Sequence, residues 1–125
     1  MKHLHTSCAL LTASALLLLA GCASTGGDGL GGFGRSAAQS ILNQQCHSTL
    51  AEQRYWQLAK LALTAAQASE IEREVCTCAS EEAASRLTPA QMVQLSTDQG
   101  RAQVVTEVLV PTVTTCYQKL ATSLF

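Results

Sequence analysis

Apolar residues recur at intervals of three and four from Ser36 onward, the spacing that places side chains on one face of an α-helix. The first stripe predicts a helix over residues 36 to about 61, and its members are Ala38, Leu42, Cys46, Leu50 and Trp56. A second helix is predicted over residues 65 to about 86, with an apolar side formed by Ile71, Val75, Ala79 and Ala83.

The second half of the chain predicts a short third helix that begins at Pro89 and a fourth helix over residues 101 to about 124. The apolar stripe of this fourth helix consists of Val105, Leu109, Val113, Cys116, Leu120 and Leu124. Together these patterns predict an all-α fold, a small bundle of three to four helices.

Pro111 lies inside the fourth predicted helix, where its missing amide hydrogen removes one helical hydrogen bond and bends the axis. Apolar residues are densest around it, with more of them than one stripe buries: Val104, Val105, Val108, Leu109, Val110 and Val113. The bend either curves the helix around the core or opens an apolar groove for an amphipathic helix of a partner. In the second case the partner-binding residues are Val108, Val110 and Pro111.

Two five-residue segments, 63–67 and 87–91, each carry Thr followed three residues later by Gln: Thr64 with Gln67, and Thr88 with Gln91. This is the capping-box arrangement, in which both side chains pair with backbone N–H groups at the start of a helix. Pro89 strengthens the second signal, because the first helical position needs no N–H donor. Each segment therefore predicts the start of a new helix.

The N-terminal part of the chain has a cationic start at Lys2 and then an uncharged apolar run from Cys8 to Gly21. This organisation is typical of a secretory signal peptide. The run of about 14 residues is shorter than the roughly 20 that a transmembrane helix needs. It closes with Leu19, Ala20, Gly21 and Cys22.

These four residues match the lipobox of the bacterial lipoprotein family, which reads Leu, a small residue, Gly or Ala, and then Cys. The first 22 residues therefore resemble a lipoprotein signal peptide. The resemblance implies that Cys22 becomes the lipidated N-terminus. In this family an Asp after the cysteine usually signals inner-membrane retention, and this chain has Ala23 instead. The implied location is the periplasmic face of the outer membrane, with a lipid anchor.

The chain thus divides into a signal peptide (1–21), the lipidated cysteine with a glycine-rich tether (22–35) and a helical domain (36–125). A flexible tether of this length reaches about 20 Å. The mature chain of about 104 residues is long enough for one small domain. Seven Lys and Arg face nine Asp and Glu in it, so its net charge is near −2 and no basic patch predicts nucleic-acid binding.

Known catalytic motifs are missing from the sequence: there is no G-x-S-x-G elbow, no HExxH and no glycine-rich phosphate loop between a strand and a helix. His47 is the only histidine left after processing. On a helix it points about 100° away from Cys46, so the two residues do not form a nucleophile and base. We predict no catalytic residue, no cofactor and no enzymatic activity.

Four cysteines remain in the mature helical domain, namely Cys46, Cys76, Cys78 and Cys116. In a small exported domain an even number predicts structural disulfides. Cys76 and Cys78 point about 200° apart on one helix, so each must bond to a different neighbour. Counting outward from the turn near residues 62–64 favours Cys46–Cys78 with Cys76–Cys116. The other pairing, Cys46–Cys76 with Cys78–Cys116, differs by only about 3 Å of helical rise.

Two functions are compatible with these features. The first is a non-enzymatic, disulfide-stapled scaffold or accessory lipoprotein that binds another cell-envelope protein. The alternative is a lipoprotein that binds Cu or Zn, because Cys76 and Cys78 with Cys46 and His47 offer soft ligands for these metals. The oxidising compartment and the lack of a CxxC pair argue against the metal site. The sequence does not indicate an oligomeric state.

Overall fold

The computed structural model describes the backbone of residues 29–124 and the side chains of residues 34–124. The all-α prediction is confirmed, since the described residues form helices and no β-strand. The helices are α1 (Gly29–Glu52), α2 (Arg54–Lys60), α3 (Ala65–Arg86), α4 (Pro89–Gln94), α5 (Asp98–Val104) and α6 (Val110–Leu124), with a π-helical turn at Val105–Leu109 between α5 and α6. The predicted signal peptide, Cys22 and most of the predicted tether lie outside the described residues.

Both predicted capping boxes are present. Thr64 accepts a hydrogen bond from the backbone N–H of Gln67, whose side chain accepts one from the Thr64 backbone N–H at 2.9 Å. Thr88 and Gln91 form the same reciprocal pair at the start of α4, with Pro89 in its first turn. These local hydrogen bonds fix where α3 and α4 begin.

The first predicted helix, over residues 36–61, is interrupted. α1 ends at Glu52, and Gln53 is extended with φ −76° and ψ 126°. In one continuous helix Trp56 would point about 120° away from Leu50, because six residues turn the helix by about 600°. The break restarts the helix in a new direction and brings Trp56 into the core, where it is only 1% exposed.

Two glutamine side chains stabilise the break. Gln53 Nε2 donates to the Thr49 carbonyl, and Gln57 Nε2 donates to the Ala51 carbonyl, both at 3.1 Å. Carbonyls in the last turn of a helix have no helical partner, so these bonds satisfy acceptors that α1 leaves free.

The core lies between α1, α3 and the helical segment that ends in α6. α3 packs most extensively against α6, and four of its six buried residues are small: Ala79, Ser80, Ala83 and Ala84. Small side chains allow two helix axes to approach closely. The largest buried apolar side chains around them are Trp56, Leu42, Leu50, Leu109, Val75, Val104 and Val113.

The π-helical turn accommodates Pro111. In this turn the Val110 N–H bonds to the Val105 carbonyl, five residues back. In an ordinary α-helix a proline has no N–H to donate, and its ring presses on the carbonyl four residues earlier. In a π-helical turn the hydrogen bonds run five residues back, so the carbonyls are shifted relative to the proline ring. Immediately after it, the Thr112 hydroxyl is buried and donates to the Val108 carbonyl at 2.6 Å. The helix therefore passes the proline without a break.

Two disulfides join α3 to the helices on either side of it. Cys46 of α1 bonds to Cys76, with Cα atoms 5.5 Å apart, and Cys78 bonds to Cys116 of α6, with Cα atoms 6.0 Å apart. As predicted, Cys76 and Cys78 do not bond to each other. The predicted pairs Cys46–Cys78 and Cys76–Cys116 are wrong.

The break at Gln53 explains the error in the pairing. The prediction measured the distance from Cys46 to the α2–α3 turn along one straight helix. Because the chain changes direction after Glu52, that stretch covers less length along the bundle axis. Cys46 consequently lies level with Cys76, two residues nearer the start of α3, and Asn43 Nδ2 reaches the Cys76 carbonyl at 3.3 Å.

Thiol titration of paired Cys→Ser variants tests this connectivity. In a Cys8→Ser/Cys22→Ser background, which leaves the four cysteines of the bundle, we expect the double variant Cys46→Ser/Cys76→Ser to contain no free thiol, because it removes one complete disulfide. The matched variant Cys46→Ser/Cys78→Ser removes one cysteine from each bond and leaves Cys76 and Cys116 unpaired. Two free thiols should therefore be measured under denaturing conditions. The opposite result, with two thiols in the first variant and none in the second, would contradict the observed pairing.

Candidate partner-binding groove

An apolar groove of about 720 Å³ lies where α2, the start of α3 and the end of α6 meet. Most of its lining side chains are apolar. They come from α2 and the turn after it (Trp56, Ala59, Ala62, Leu63), from α3 (Ala66, Gln67, Glu70, Ile71) and from α6 (Tyr117, Leu120, Ala121, Leu124).

Alanines keep this groove open. Four of the lining positions are Ala59, Ala62, Ala66 and Ala121, and each lacks the side chain that would fill the space between the helices. The turn at residues 61–64 adds width, because α3 can begin only where its Thr64 cap forms. Leu124 lines the groove and remains 57% exposed, so apolar surface at its edge stays in contact with solvent.

Aromatic side chains form the inner wall of the groove. The Tyr117 ring stacks on Tyr55 with centroids 4.7 Å apart and meets Trp56 edge-on at 6.2 Å. Such pairs add to the stability that burial alone gives. Trp56 is also the only tryptophan of the chain, so tryptophan fluorescence arises from the wall of this groove.

Two polar residues, both on α3, line the groove. Gln67 uses its side-chain oxygen in the Thr64 capping box. Glu70 is the one charged residue of the lining, and its carboxylate pairs with Arg73 one turn later. The Glu70 side chain is 56% exposed and that of Arg73 is 69% exposed, and exposed ion pairs of this kind contribute little free energy. Glu70 therefore remains available to a new cationic partner.

The predicted partner-binding residues do not line this groove. Val108 and Val110 are half-buried, with Val108 packed against the core, and Pro111 is exposed on the side of the helix. Three of the apolar residues around Pro111, namely Val104, Leu109 and Val113, are fully buried in the core. They therefore leave little apolar surface exposed beside the proline. Of the two interpretations left open by the sequence, a helix curved around the core fits these positions.

Sequence analysis placed several lining residues, among them Trp56, Ile71 and Leu120, on apolar helix stripes but did not predict the groove. Leu63 lines the groove, and the neighbouring Leu58 and Leu61, which are not part of its lining, are 68% and 84% exposed. Three leucines within six residues, in and directly after a seven-residue helix, are more than one buried face needs, and this excess was the available signal. It was hidden because the stretch was assigned to the end of a continuous helix.

The cysteines and the histidine considered as metal ligands form other interactions in the structure. All four cysteines of the described residues are in disulfides, and His47 Nδ1 lies 2.7 Å from Glu72 Oε1 on the surface. The sulfur atoms of Cys78 and Cys116 lie within 4.8 Å of a carboxylate oxygen of Glu82, but a disulfide provides no thiolate. A hydrogen bond from Lys119 at 2.6 Å lowers the pKa of Glu82.

A second, more open depression of about 440 Å³ lies between α1 and α3. Its lining consists of hydroxyl and amide side chains: Ser36, Gln39, Ser40, Asn43, Gln44, Thr77 and Ser80. Asn43 bridges the two helices there by donating to Ser80 Oγ at 3.4 Å. Because the lining of this depression is polar, the apolar groove is the stronger candidate for a protein contact.

Comparison with known proteins finds nothing similar: no protein-family description, no curated protein and no solved structure matches this chain. Within the part of the chain that the structure describes, no helix has the length and apolarity needed to cross a membrane. The functional proposal therefore depends on the groove and on the N-terminal sequence.

Filling the groove should leave the fold intact. We expect Ala66→Leu to change the free energy of unfolding by less than about 0.5 kcal/mol, because the added atoms enter open space at an exposed position. The control is Ala79→Leu on the same helix, which is fully buried and should lose about 1 to 3 kcal/mol through overpacking. Urea denaturation of both variants measures the difference, and equal losses would mean that the groove is closed in solution.

Proposed function

We propose that this protein is a non-enzymatic outer-membrane lipoprotein that uses the apolar groove to bind another cell-envelope protein. The observation that carries the proposal is a preformed apolar groove on a bundle whose helices are held by two disulfides. Exposed apolar surface of this kind is costly in water, and contiguous patches often mark sites of protein interaction. Burying it against a partner yields about 25 cal/mol for each Å² removed from solvent.

The disulfides support a binding scaffold more than a metal-binding protein. Thiolate sites for Cu or Zn need deprotonated, unbonded cysteines, and each described cysteine is consumed by a disulfide. Crosslinks also keep α1, α3 and α6 in place without a partner. A groove that exists before binding avoids part of the ordering cost of association.

The lipid anchor rests on the lipobox and is testable by mass. We expect the mature protein to begin at Cys22, to carry acyl chains and to fractionate with the outer membrane. Cys22→Ser should lose both the added mass and the membrane fraction. The matched control is Cys8→Ser, which changes the other cysteine of the N-terminal region and should alter neither. An unlipidated mass for the wild-type protein would refute the anchor.

Partner binding is testable by photo-crosslinking from the groove in intact cells. A photoreactive residue at Ala66 should give one discrete crosslinked product in the envelope, whereas the same residue at Ala102, which is exposed on α5, should give none. The product should disappear in Leu124→Glu, because the charge would be buried against the partner.

Val93→Glu is the control for that substitution. Val93 is 72% exposed and lies outside the groove, so the same charge there should leave the product unchanged. Circular dichroism should show both variants folded. A product that survives Leu124→Glu, or that forms equally from Ala102, would contradict the assignment of the groove.

A further inference from the structure

We infer that the occupant of the groove is an amphipathic α-helix of the partner protein, with a lysine or arginine beside its apolar stripe that binds Glu70. This inference rests on the proposed function and specifies the partner's chemistry. It follows from the spacing of the lining residues and from the single charge among them.

The lining residues of α6 have the spacing that packs helices together. Tyr117, Leu120, Ala121 and Leu124 lie at positions i, i+3, i+4 and i+7, which form one stripe along the helix. In a helical bundle such a stripe faces another helix. Here its outer part faces the open groove.

α3 presents a matching stripe on the opposite wall. Leu63 precedes it, and Ala66, Gln67, Glu70 and Ile71 continue it with the same three- and four-residue steps. Two such stripes with small residues on both, Ala66 and Ala121, leave a position in which one more helix fits between them. From Tyr117 to Leu124 the α6 wall is about 10 Å long, which corresponds to roughly two turns of the occupant.

The charge in the lining selects among apolar occupants. A fatty acid or phospholipid would bring a carboxylate or phosphate, and Glu70 would repel it. A helix with a cation next to its apolar stripe gains an ion pair instead. Because the present pair with Arg73 is exposed and weak, a partner cation can replace it at small cost.

Trp56 provides the test, since it is the sole tryptophan and part of the groove wall. The protein is the mature sequence from residue 22 with Cys22→Ser, which carries neither acyl chains nor the apolar run of the signal peptide and so needs no detergent that would fill the groove. The probes are two synthetic 14-residue helical peptides without tryptophan, each with the same leucine stripe. One carries lysines beside the stripe, and the other carries glutamates at the same positions.

We expect the lysine peptide to change Trp56 fluorescence saturably and to bind more tightly than the glutamate peptide. Glu70→Gln should weaken the lysine peptide by about fivefold, the effect of roughly 1 kcal/mol. Glu70→Lys should reverse the preference between the two peptides. Glu74→Gln, an exposed position on α3 outside the groove, is the matched control and should leave both affinities unchanged.

Three results would overturn the inference. Equal affinity of both peptides, unaffected by Glu70→Lys, would remove the role of the charge. Saturable binding of a C12 fatty acid that excludes both peptides would identify an acyl chain as the occupant. A concentration-dependent dimer in sedimentation, abolished by Leu124→Glu, would identify a second copy. The crosslinking experiment in cells tests the proposed function separately, because its product forms whatever the chemistry of the partner's contact.

Discussion

The fold depends on two crosslinks that leave one helix in opposite directions. Cys76 and Cys78 lie two residues apart on α3, and their side chains point about 200° apart around it. α3 is therefore fixed between α1 on one side and α6 on the other and cannot rotate about its axis. In the chain-entropy model each bond contributes about 3 to 4 kcal/mol, a large share of the 5 to 15 kcal/mol typical of a domain.

The position of these crosslinks also explains where the groove forms. α3 extends well beyond Cys76 toward its start, and α6 extends beyond Cys116 toward its end. The two ends meet at the groove, so α3 and α6 are antiparallel. Past the crosslinks no disulfide holds these two ends, and α2 covers part of the gap with Trp56. A rigid base with a less constrained end is a reasonable design for a binding protein, because the lining can adjust without loss of the fold.

Local signals in the sequence were sufficient to predict the helical class and several boundaries. Thr64 with Gln67 and Thr88 with Gln91 specify helix starts through hydrogen bonds that involve only four residues each, and both are confirmed. The apolar stripe from Ala38 to Leu50 is buried throughout. The separation of Cys76 from Cys78 followed from the geometry of a single helix and is likewise confirmed.

Features that depend on two distant elements were not predictable in the same way. Predicting the disulfide pairing required knowing which residues of α1 and α3 lie level along the bundle axis. One extended residue, Gln53, shifted the partner of Cys46 on α3 by two positions. The site was placed at Pro111 because an interior proline suggests a distorted helix. The helix accommodates Pro111 with a π-helical turn, and the open apolar surface lies where α2, α3 and α6 do not fill the space between them.

Among the four cysteines of the described residues, the observed pairing joins neighbours along the chain, the first with the second and the third with the fourth. If the protein is exported as proposed, Cys46 is the first cysteine of the bundle to enter the oxidising compartment and Cys76 is the next. An oxidase that joins cysteines in their order of arrival then produces the native bonds directly. The predicted pairing, Cys46–Cys78 with Cys76–Cys116, would instead have required a disulfide isomerase to rearrange the first bonds formed. With the observed connectivity the protein can mature without that rearrangement.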